Sequence, residues 1–96
     1  MIAEVSLAPL GEGTSVSRYV ARAVSIIRES GLRYEFHAMG TNLEGEFDRI
    51  MEVVKACRDA MIDMGARRVL IRMYIDDRRD KPSSIEGKKS SVASRT

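Results

Sequence analysis

A chain of 96 residues, 44% of them hydrophobic, is long enough for one domain with one core; a domain of this size buries only somewhat above ~60% of its unfolded surface, so a partner chain is expected. No apolar run approaches the ~20 residues that span a bilayer and no basic region followed by an apolar stretch opens the chain, which makes the cytoplasm the expected compartment. Charge is uneven, with 7 Lys and Arg against 10 Asp and Glu over residues 1–66 and 9 against 4 over 67–96, while one cysteine, Cys57, and one histidine, His37, exclude an internal disulfide and a zinc or iron–sulfur ligand set.

From Ile2 to Leu10, Ala3, Val5 and Leu7 alternate with Glu4 and Ser6, the period-two signature of a strand with one buried face, closed by Pro9 and Gly11. Glu12-Gly13-Thr14-Ser15 offers loop and N-cap chemistry. Val16, Tyr19, Val20, Ala23, Val24 and Ile27 then recur at helical spacing and predict an amphipathic helix ended by Ser30-Gly31. Leu32 to Met39 alternates again, with Tyr34, Phe36 and Ala38 on one side and Arg33, Glu35 and His37 on the other. A hairpin turn at Met39 to Asn42 and a short third strand, Asn42-Leu43-Glu44, are expected within the polar stretch Gly40 to Glu46.

Phe47, Ile50, Met51, Val54, Cys57, Met61 and Met64 form a second helical stripe from Glu46 or Phe47 to Met64, opened by Glu46 and Asp48 and closed by Gly65. Val69, Ile71, Met73 and Ile75 alternate with Leu70, Arg72 and Tyr74 in a fourth strand. A ferredoxin-like domain over residues 1–80 is thus expected to be followed, over 81–96, by a polar, basic tail or docking arm with Ile85 and Val92 as its sizeable apolar anchors.

The order β-α-β-β-α-β predicts a ferredoxin-like α+β sandwich, a four-stranded antiparallel sheet with two helices on one face. The other face would carry Glu4, Ser6, Glu35, His37, Arg72 and Tyr74, together with Ile2 and Leu70, a mixture half suited to water and half to burial. Packing of two such faces, or pairing of edge strands between subunits, predicts a homo-oligomer.

At the level of motifs, the chain resembles the small thiamine-binding protein family of the YkoF type, formerly a conserved family of unknown function. The resemblance rests on Pro9-Leu10-Gly11, Ser17-Arg18-Tyr19-Val20, Ser30-Gly31-Leu32-Arg33-Tyr34, Met39 to Glu46, Arg68-Val69, Ile75 to Arg79, and Lys88 before Ser91-Val92. It implies the same fold, dimers that pair into tetramers, and non-catalytic binding of thiamine or its hydroxymethylpyrimidine moiety.

An aminopyrimidine needs a flat apolar or aromatic wall, an acceptor for its exocyclic amine and donors for its ring nitrogens. Tyr34 or Tyr19 could supply the wall, Glu44 the acceptor, and Ser17, Thr41 or Asn42 the hydroxyl and amide contacts. Each has a structural alternative: capping for Ser17, core packing for Tyr19, turn chemistry for Thr41 and Asn42, and for Glu44 an ion pair with Arg68, Arg72 or Lys88 of a neighbouring subunit. His37, alone on a strand, reads as structural or exposed, Cys57 as a buried thiol, and no nucleophile, base and orienting group occur together, so no enzyme, cofactor or metal is expected. Nucleic acid is not an expected partner either. The first strand and Asn42-Leu43-Glu44 lack aromatics, and Glu4, Glu35 and Glu44 repel phosphate. A structural or regulatory oligomer without a physiological ligand is the competing reading. It needs only the glycines of the Gly40 to Glu46 stretch, whereas a binding module uses the side chains.

Overall fold

Alternation along the strands decides which side chains meet the helices. In the computed structural model, which describes residues 1–13 and 16–96, the elements are β1 (Ile2–Pro9), α1 (Ser17–Glu29), β2 (Arg33–His37), β3 (Gly40–Glu44), α2 (Phe47–Asp63), β4 (Val69–Asp76) and α3 (Ile85–Ala93). The strands form one antiparallel sheet in the order β2-β3-β1-β4, the ferredoxin-like arrangement. The capping expected from Thr14 and Ser15 lies outside the described residues.

Pairing of Ala3 with Leu43 and Ile75, and of Leu43 with Tyr34, puts the more apolar set of every strand on one face. There Ala3, Val5 and Leu43 close over Tyr19, Ala23 and Ile27 of α1 and Ile50, Val53, Val54, Cys57 and Met61 of α2. The second helical stripe is rotated from the expected one. Val53 is buried, while Phe47 and Met51 are 50% and 38% exposed, because the row Ile50, Val54, Cys57, Met61 centres the buried face and leaves Met51 on its outer flank.

Helix ends follow local chemistry. Gly31 (φ 79°) stops α1. At the end of α2, Gly65 (φ 110°) donates to Ile62 C=O at 2.9 Å and Ala66 donates to Met61 C=O at 3.1 Å, a Schellman closure that also buries Ala66 with Met61.

The expected hairpin is corrected. The hairpin turn is Ala38–Met39, with His37 paired to Gly40, so β3 starts two residues earlier than Asn42. Gly40 serves close approach rather than a turn, since a Cβ there would sit 2.8 Å from Val5 main-chain oxygen and its φ is not positive. The tail, for its part, is a helix docked by its first turn. Ser84 caps α3 by accepting from Gly87 N–H at 2.9 Å, and Glu44 accepts from Ile85 N–H at 2.7 Å. Lys88–Asp76, Lys89–Glu35 and Arg33–Glu86 pairs at 2.6, 2.8 and 2.9 Å tie it to the sheet face away from α1 and α2, with Ile85 buried. No helix among the described residues is long and apolar enough to cross a membrane.

Candidate functional site

Where the strands differ in length, the sheet has a gap. β1 pairs with β4 as far as Pro9↔Val69, but its pairing with β3 ends at Val5↔Thr41. Beyond that pair a cleft of about 150 Å³ opens between β1, the β2–β3 hairpin and α1. Its walls are mainly apolar: Leu7 and Phe36 from the sheet, and Val20, Ala23, Val24 and Ile27 from α1. A cavity of about that size admits one six-membered ring.

Polar groups enter the cleft from three directions. Thr41 is 5% exposed, lies on the helix-facing side and lines the cleft, and among the described residues its hydroxyl makes no hydrogen bond. Main-chain groups supply the second. Met1 C=O accepts from Gly45 N–H, so by alternation Ala3, Val5 and Leu7 turn their N–H and C=O towards β3, whereas Leu10 N–H turns the other way to Arg68. Leu7 therefore presents a donor and an acceptor side by side, past the last β3 pair. Ser6 and His37 reach the gap from the sheet's other face.

That other face carries a connected polar row. Glu4, Asn42 and Glu35 are cross-strand partners on β1, β3 and β2. Lys89 Nζ donates to Glu35 at 2.8 Å, Asn42 Nδ2 donates to Glu35 at 3.3 Å, and His37 Nε2 lies 3.3 Å from Asn42 Oδ1 and 3.4 Å from Glu4. Because Glu35 only accepts, the Asn42 amide must turn its NH₂ to Glu35 and its oxygen to His37. Hydrogen bonding and charge from Lys89 hold the Glu35 carboxyl below its ordinary range.

The five residues singled out from sequence are not brought together. Thr41 alone lines the cleft. Tyr34 is on the helix-facing side but packs against the core, and the aromatic wall comes from Phe36, two residues along the same face. Asn42 lies on the opposite face, one layer behind His37, and Glu44, on that face too, accepts from Ile85 N–H of the same chain. Ser17 is exposed on the first turn of α1 and lines no cleft wall. Tyr19, the other possible wall, is core: its hydroxyl donates to Glu12 at 3.1 Å, and burial first, then that acceptor, raises its pKa. Sequence reasoning missed Leu7, Phe36 and His37 as cleft residues. Alternation already grouped Phe36 with Tyr34, but the end of the β1–β3 ladder has no signature in residue type.

A larger hollow of about 460 Å³ between residues 78–84 and α3 is lined by Arg78, Lys81 and Lys88. Arg78 is already paired with Asp80, and Lys88 with Asp76, which leaves that hollow little net field. Cys57 is equally unavailable, since burial pushes its thiol up to about 11.

Similarity to known proteins runs along nearly the whole chain. The profile of the thiamine-binding protein family matches residues 3–93. A UPF0045 protein of Methanothermobacter thermautotrophicus is 45% identical over 92 residues, which cover 94% of this chain and 93% of that protein. A UPF0045 protein of Synechocystis is 39% identical over 92 residues, covering 96% of this chain and 76% of the relative. Among solved structures, a hypothetical protein of Methanocaldococcus jannaschii superposes with a TM-score of 0.89 at 39% identity, over 96% of this chain and 94% of its own. A Thermotoga maritima protein described as a candidate for thiamine biosynthesis or salvage superposes with a TM-score of 0.82 at 27% identity, over 95% of this chain and 96% of its own. The chain belongs to the thiamine-binding protein family.

Proposed function

With that membership as premise, we propose that the chain is a non-catalytic binding protein that takes the aminopyrimidine ring of thiamine, or hydroxymethylpyrimidine itself, into the cleft between β1, the β2–β3 hairpin and α1. The observation that carries the reading is the freed main-chain edge of Leu7 beside the Thr41 hydroxyl, inside a mainly apolar cleft the size of one ring. An aminopyrimidine edge sets a donor amine beside an acceptor nitrogen, the complement of one residue's C=O and N–H. Binding would extend the β1–β3 ladder by one rung, while Phe36 and the α1 side chains exclude water from the ring face turned to the helices. The thiamine link of the Thermotoga maritima relative is consistent with that ligand.

The protein is further proposed to work as a homo-oligomer. The edge strand β4 exposes Leu70 and Tyr74 on one face and Ile71 and Ile75 on the other, with Tyr74 77% exposed, a row that a second copy would cover. Calorimetric titration with thiamine, hydroxymethylpyrimidine and thiamine phosphate tests the ligand. Absence of heat with all three at millimolar concentration sinks the assignment and leaves the oligomeric scaffold as the function. Light scattering tests the assembly, which a 10.7 kDa species at micromolar concentration would overturn.

A further inference from the structure

The outer wall of the cleft is the Ala38–Met39 turn, and its own residues do little to hold it. Two-residue hairpin loops favour residues with positive φ, and neither Ala38 nor Met39 has it. Met39, 69% exposed, has no core packing to fix it. Two side chains clip its main chain instead. Met39 N–H donates to His37 Nδ1 at 3.3 Å, and Arg72 Nη2 donates to Met39 C=O at 3.5 Å.

An amide N–H only donates, so His37 Nδ1 must be bare, and the neutral ring carries its proton on Nε2, between Asn42 Oδ1 and Glu4. A second proton can enter only at Nδ1, where it meets Met39 N–H donor against donor. The charged groups around the ring keep it in place. Glu4 of β1 faces Nε2, Glu35 of β2 and Lys89 of α3 stand behind Asn42 of β3, Arg72 of β4 holds the far side of the turn, and α1 offers the cleft only Val20, Ala23, Val24 and Ile27. An imidazolium there gains from Glu4 while losing Met39, so protonation exchanges one contact for another without expelling the side chain.

The geometry points to His37 as the positioning residue of the cleft wall: its bare Nδ1 holds the Ala38–Met39 turn closed, and its protonation releases the turn and weakens ligand binding. This rests on the ligand-binding reading of the cleft.

The test combines NMR of the free protein with calorimetry. Titration from about pH 8 to about pH 5 follows the His37 ring nitrogens and the Met39 amide, and thiamine affinity is measured at both ends for the natural protein and for His37→Gln, whose amide oxygen can accept from Met39 without titrating. Expected is loss of Met39 exchange protection at the midpoint where Nδ1 gains its proton. Thiamine affinity should fall about fivefold, the worth of one neutral hydrogen bond, beyond any change that His37→Gln also shows through titration of thiamine itself. The inference is overturned if the Met39 amide ignores His37 protonation, or if His37→Gln retains the whole pH dependence. Absence of thiamine heat at both pH values would fail the ligand reading alone, and the Met39 amide then decides the turn contact by itself.

Discussion

Replacing Thr41 by valine separates the two roles open to that side chain. Thr41 is the last β3 residue paired to β1, 5% exposed, and among the described residues its hydroxyl is without a hydrogen-bond partner. Burying an unpaired hydroxyl costs about 1–3 kcal/mol, and the lower end applies here because the oxygen opens on the cleft rather than being sealed in the core. Valine keeps the branched shape and removes the polar atom. The folded state should therefore gain about 1 kcal/mol, seen as a Tm higher by roughly 4–8 °C in thermal unfolding followed by circular dichroism. Thiamine, losing one neutral hydrogen bond, should bind about fivefold more weakly in calorimetry. The opposite signs make the prediction exacting. A Tm lowered by a similar amount would mean that the hydroxyl has a partner within the fold, and an unchanged Kd would mean that the ligand does not touch it. Thr41→Ser is the control: it keeps the hydroxyl and the affinity, and loses about 1 kcal/mol of stability with the buried methyl.

Glu44→Ala should remove the acceptor of Ile85 N–H in the first turn of α3, with Ser84 still capping, at a cost of about 1 kcal/mol, speeding amide exchange over residues 85–93 several-fold while the α2 core amides stay protected; unchanged exchange in α3 would contradict the Glu44–Ile85 contact. Lys89 depresses the Glu35 pKa, so the contribution of that pair is present above the ordinary carboxylate value of ~4 and is lost as pH falls through the lower folded-state value. Carboxyl NMR of Lys89→Gln should then find the Glu35 midpoint raised towards the ordinary value, and an unmoved midpoint would refute the contact. With its thiol pushed up to about 11, Cys57 should be roughly one part in a thousand thiolate at about pH 8, and Ellman's reagent should label it only after unfolding; stoichiometric labelling of the folded protein would contradict its burial.

The strands and the two long helices were legible because each buries one continuous face, and burial of one face writes a period into the sequence. Ala3 and Val5, Tyr19 to Ile27, and Ile50 to Met61 are such rows. α3 buries only Ile85 and is held by a cap and exposed ion pairs, so no apolar period marks it. Ser84 as its N-cap, with Glu86 in the first turn, was the available signal. The site was less legible for a related reason. Thr41 and Asn42 are neighbours in sequence, and a strand must send them to opposite faces, so no single pocket can be built from both side chains directly. Asn42 reaches the cleft only through His37.

The gap itself comes from strand lengths, not from any special residue. β1 has eight residues and β3 five, and a hairpin longer by two residues would bring a rung opposite Leu7 and fill the cleft with backbone. Gly40 sits where the ladder stops, and the absent Cβ lets β3 close against Val5 carbonyl at its last pair, which keeps the mouth of the gap narrow. A scaffold needs that close approach as much as a binding protein does, so the glycine does not discriminate between the two functions. The hydroxyl of Thr41 does. Opening on the cleft beside Leu7, it is a group that a bound ring would meet and that a scaffold leaves idle, so loss of affinity in Thr41→Val marks a binding protein and unchanged affinity a scaffold.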